Sequence, residues 1–139
     1  MGDRVTVTAN RHTIVLVDAM EGVRDALRWL LSREPDLVVT GEAGTVALAA
    51  GMPADVVVTG LRLADGAAAD LAAAGRRVVV HTWLPPDEYP AQLTAGVCAV
   101  VRHGALGRLL APAIRQAVAQ SSSGREPDRD SEASGPPRR

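Results

Sequence analysis

Residues 13–33 read TIVLVDAMEGVRDALRWLLSR, and the hydrophobic period changes in the middle of them. Thr13 to Val17 are near-continuously apolar, as in a strand covered on both faces. Beyond Asp18, Val23, Leu27, Leu30 and Leu31 recur at helical spacing, with Arg24, Arg28 and Arg33 on the other side. The stretch is therefore a buried strand feeding an amphipathic helix. Working outward, the alternation repeats. Short apolar runs stand at 37–40 (LVVT), 55–59 (DVVVT), 77–81 (RVVVH) and 97–101 (VCAVV). Between and after them the spacing predicts helices over 43–51, 66–74, 87–95 and 105–120, the last expected to kink or start late at Pro112. Strands alternating with helices in this way predict a single doubly wound α/β domain with a five-stranded parallel sheet.

Composition narrows the function. Of the 139 residues 47% are hydrophobic, which suits one globular core rather than a disordered chain. Aromatic residues make up 2%, so a stacking platform for single-stranded nucleic acid has no support. The net charge of −1 offers no basic field for a phosphate backbone, and no direct nucleic-acid partner is expected. All 15 cationic residues are Arg, which removes Schiff-base chemistry and lysine-dependent phosphate sites. Every apolar run is interrupted before it reaches membrane-spanning length, and residues 1–11 carry no signal-like apolar region. With one Cys the chain reads as cytoplasmic. Residues 1–11 read as an N-terminal extension, 12–120 as the folded domain, and 121–139 (SSSGREPDRDSEASGPPRR) as a disordered tail.

In such folds ligands sit at the carboxyl ends of the strands, here Asp18 and Ala19, Gly41 and Glu42, Gly60 to Leu63, Thr82 and Trp83, and Arg102 and His103. Four segments in this order, IVLVDAMEGVRDALRWLL, ADVVVTGLRLADG, VVVHTW and TAGVCAVVRHG, resemble the receiver domains of bacterial response regulators, closest to those preceding a LuxR-type DNA-binding domain. The resemblance implies a flavodoxin-like sheet of order 2-1-3-4-5. It also assigns five site positions. The paired acids that end the first strand fall on Asp18 and Ala19, so one carboxylate is lost. The phosphoacceptor falls on Gly60, the Ser/Thr on Thr82, the Lys on His103, and the switch aromatic on Val100 or Val101.

The resemblance thus implies a degenerate, pseudo-receiver site. Aspartyl phosphorylation needs a carboxylate nucleophile, a divalent cation and a product-binding positive charge. Gly60 has no side chain, Asp18 alone is a poor Mg²⁺ site, and His103 is mostly neutral near neutral pH. Asp55, Thr59, Asp65 and Asp70 read as structural or loop residues rather than substitutes. His12, His81, Cys98 and His103 show no metal-ligand spacing, and neither metal nor other cofactor is expected. No nucleophile elbow accompanies Thr82, so an enzyme is not expected.

The expected function is therefore a stand-alone regulatory module of two-component type that works without phosphorylation, through contact with a kinase or regulator. Trp83 and Leu84 in a surface loop, with Val100, Leu106 and Leu110, are the candidate contact residues, and the resemblance implies a homodimer. Two other readings stay open: a small-ligand sensor using the vacated pocket at Asp18, Gly60, Thr82 and His103, and a regulator whose DNA-binding module lies on a partner chain.

Overall fold

The computed structural model describes residues 11–124. The readings of most of the N-terminal extension and of residues 125–139 of the tail fall outside the described residues. Strands β1 (His12–Val17), β2 (Leu37–Ala43), β3 (Val56–Gly60), β4 (Val78–Thr82) and β5 (Ala99–Arg102) form one parallel sheet of order 2-1-3-4-5. The helices are α1 (Glu21–Leu31), α2 (Val46–Ala50), α3 (Ala68–Ala73), α4 (Ala91–Thr94) and α5 (Leu106–Gly124). The expected sheet is the observed one, element for element.

Period two along the buried strands sorts their side chains into two apolar layers. Ile14 and Leu16 of β1, Val56 and Val58 of β3, and Val79 of β4 face Leu27 and Leu31 of α1 and Leu110 and Ile114 of α5. The alternate residues Val15, Val17, Val57, Val78 and Val80 face Ala49 of α2 and Ala68 and Leu71 of α3. Each Val, Leu or Ile so buried contributes about 1.5–3 kcal/mol against exposure, and the first layer holds the larger side chains.

Three expectations are corrected. The Ala-rich helices are shorter than the windows 43–51, 66–74 and 87–95, because alanine confers helix propensity without an apolar stripe to bury. The last helix runs through Pro112 and on to Gly124, taking in the first four residues of the expected tail. An unanticipated antiparallel ribbon, Arg62–Leu63 against Gly66–Ala67, follows β3. The Asp65 carboxylate in its turn accepts from Val46 N–H at 2.8 Å and Ala47 N–H at 3.0 Å, pinning the ribbon to the start of α2.

Among the described residues, no helix is long and apolar enough to cross a membrane.

Candidate functional site

The carboxyl ends of β1, β3, β4 and β5 bring Asp18, Gly60, Thr82 and His103 around one cavity of about 220 Å³. Ala19 is exposed beside it. Asp18 is held from two sides. Its Oδ1 accepts from Met20 N–H at 2.9 Å, and Arg24 of α1 donates to its main-chain carbonyl. Arg24 and Arg28 also pair with Glu42 at the end of β2, which occupies the arginines of this helix face locally.

The residue that organises the site is, by its sequence, no more than a histidine within an apolar strand. His81, 3% exposed, lies between Asp18 and His103. Its Nε2 stands 3.2 Å from Asp18 Oδ2, and its Nδ1 stands 2.8 Å from His103 Nε2. The Asp18 approach is off the axis of a good hydrogen bond, so Nε2 is a buried polar atom with a close acidic neighbour and no aligned partner. The direction of the His81–His103 hydrogen bond follows the tautomer: with the His81 proton on Nε2, beside the Asp18 carboxylate, Nδ1 accepts from His103 Nε2–H. Trp83, 78% exposed, closes the row with its ring centroid 4.0 Å from that of His103.

Burial drives the electrostatics. Desolvation pushes the His81 imidazolium down to about 4, with His103 adding to the fall and Asp18 opposing it. His103 is lowered too, again by burial first and against the pull of Asp18. Near neutral pH both rings are uncharged, so His103 places no fixed cation at the end of β5.

Gly60 is closely packed within the site. A Cβ placed there would stand 3.0 Å from Asp18 Oδ2 and 3.8 Å from His81 Cε1, so even alanine obliges the carboxylate to give way. The group that such a fold implies, Mg²⁺, needs several carboxylate and water oxygens. Here Asp18 is the one carboxylate, its two oxygens face Met20 N–H and His81, and Ala19 and Gly60 supply none. The residues do not fit that ion. Among the described residues, no group of three His, Cys, Asp or Glu is arranged to hold a metal.

The other candidates have structural employment. Thr82 is buried and its Oγ1 accepts from Leu84 N–H at 3.2 Å. Thr59 is buried and donates to the Gly60 carbonyl at 3.0 Å. Asp55 accepts from Thr13 N–H at 2.9 Å and Asp70 from Ala67 N–H at 2.8 Å. Of the proposed contact residues, Trp83 is open to solvent, while Leu84, Val100 and Leu106 are half-buried. Leu110, at 1% exposure, is core and offers a partner nothing, because its side chain is needed between α5 and the sheet.

No family model matches the chain, and no curated protein matches it. Solved structures do. The chain is similar to the signal receiver domain of an HD domain-containing protein from Pseudomonas fluorescens Pf-5, at 22% identity and a TM-score of 0.65 over 82% of this chain and 91% of that one. It is similar to the signal receiver domain of the response regulator NarL from Mycobacterium tuberculosis, at 21% and 0.64 over 84% and 99%. The response regulator domain of Thermotoga maritima CheB matches at 18% and 0.67 over 78% and 97%. The chain therefore has the receiver-domain fold, as its strand order had indicated.

Proposed function

We propose that this chain is a receiver-like signalling module that regulates through protein–protein contact and without phosphorylation. The observation that carries the reading is Gly60: the acceptor position lacks a side chain and lies against the Asp18 carboxylate. The neutral His81–His103 pair beside it supports the same reading, since it offers a bound phosphoryl group no fixed charge. A protein partner, a kinase or another regulator, would have apolar surface to cover: Met20, Trp29, Leu48, Trp83 and Leu109 all project large apolar side chains into solvent.

Thermal unfolding of the full chain with and without Mg²⁺ and beryllofluoride tests this. A site occupied at about 100 times its Kd stabilises by roughly 2.7 kcal/mol, a shift of several degrees in a domain of this size. No shift is expected. A shift of that size would mean that an acyl-phosphate mimic still binds, and the phosphorylation-independent reading would fall.

A further inference from the structure

A second cavity, about 320 Å³, opens beside the first and is almost wholly apolar. Val23, Ala26, Leu27 and Leu30 of α1 form one wall, and Leu106 at the start of α5 and Trp83 form the other. It adjoins the polar cavity, since Met20, Val23, Trp83 and His103 line both. Two of the large apolar side chains left in solvent, Met20 at 64% and Trp83 at 78%, stand at this junction and would be covered by an occupant.

The paired cavities have the make-up of a small-molecule site: apolar walls, a volume in the range of roughly 300–1,000 Å³, and a few polar groups converging at one end. Their position agrees. The order of the sheet reverses between β1 and β3, whose ends carry Asp18 and Gly60, and open α/β sheets bind ligands at such a point.

We propose that this cleft binds a neutral aryl alcohol, its fused-ring body between α1 and Trp83 and its hydroxyl at the Asp18–His81–His103 end. The polar end decides the chemistry. It presents the Asp18 carboxylate, an acceptor, which suits a hydroxyl donor. Asp18 faces the head group directly and disfavours an anion. Arg62 on the rim of the same cavity carries the opposite charge, so neither ionic form gains a net field there and both would lose hydration on entering. Among the described residues, His81 Nε2 is the buried side-chain polar atom left without a hydrogen bond, and it lies in the wall of this polar end.

The test uses the full chain carrying Trp29→Phe, which leaves Trp83 as the one tryptophan, with 2-naphthol as probe. Saturable quenching of Trp83 emission is expected. Two fillings of the cleft, Gly22→Leu and Ala26→Leu, should each weaken binding at least about tenfold. Both positions are exposed on α1, and a Cβ at Gly22 meets nothing within 4 Å, so neither substitution replaces a core contact. 2-Naphthoate, the anion of matching shape, should also bind at least about tenfold more weakly. Quenching that never saturates, affinity unmoved by both fillings, or equal affinity for the carboxylate would each overturn the proposal. None of these results bears on the beryllofluoride melt, so the two readings stand or fall separately.

Discussion

A valine at position 81 would have completed the apolar run of β4; a histidine there brings an imidazole into the core at a cost. The sign of that cost is fixed by its lowered proton affinity. Above the ordinary histidine value neither the folded nor the unfolded chain holds the proton. As the pH falls from about 6.5 toward about 4 the unfolded chain takes it up first, so stability falls across that window. A displacement of this size corresponds to about 3 kcal/mol at the low end. His81→Leu should remove the His81 share of the dependence and leave that of His103: urea midpoints at about pH 7 and about pH 5 should differ less in the variant than in the parent. An unchanged difference would place the titration elsewhere. The same residue marks where reading the sequence stopped short. Asp18, Gly60, Thr82 and His103 are legible because the order of the strands puts them at strand ends. His81 hides in an apolar run. Because neighbours on a strand face opposite ways, assigning Thr82 to the site sends His81 into the opposite layer. Only the pairing of Gly60 with His81, and the bend of Asp18 toward them, brings it back to the cavity.

At the scale of elements, the strands could be read and the short helices could not. Five apolar runs at regular spacing allow few arrangements, whereas an Ala-rich segment satisfies helix propensity over more residues than the fold uses. The stops of α3 and α4 are written in glycine. Gly75 at φ +89° and Gly96 at φ +80° turn the chain left-handed just beyond each helix, a conformation that costs an L-residue about 1–2 kcal/mol. The two substitutions should not be equal. A Cβ at Gly75 meets nothing within 4 Å, so Gly75→Ala should cost only that backbone term. A Cβ at Gly96 would stand 3.2 Å from Ala72 Cβ, adding a packing conflict between α4 and α3. Chemical denaturation of the pair should place Gly96→Ala as the less stable by about 1 kcal/mol or more. Equal losses would mean that the α3–α4 contact yields freely.

Across the whole molecule, the two layers differ in what they bury. The α1/α5 layer packs Ile14, Leu16, Leu27, Leu31, Leu110 and Ile114; the other packs valines against alanines, with Leu63 and Leu71 as its large members. Arg115 of α5 further clamps the turn before β2, at 2.6 Å to Glu34 and 2.9 Å to Asp36, and this contact draws the Asp36 carboxyl below its usual range. An exposed clamp of this kind contributes at most about 1 kcal/mol, so the difference between the layers rests on buried apolar area. Helices of four to six residues on the α2–α4 side also leave fewer main-chain hydrogen bonds to hold each element closed. The α2–α4 side should therefore open locally at lower free energy than the α1/α5 side. Native-state amide exchange should show α2, α3 and α4 exchanging through local openings, while the amides of β1, β3 and the middle of α5 exchange only with global unfolding. Uniform protection across both sides would mean that the sheet couples its two faces into one cooperative unit. In the asymmetric case, the site at the strand ends is anchored from the α1/α5 side, so Asp18, His81 and His103 keep their spacing while the far face moves.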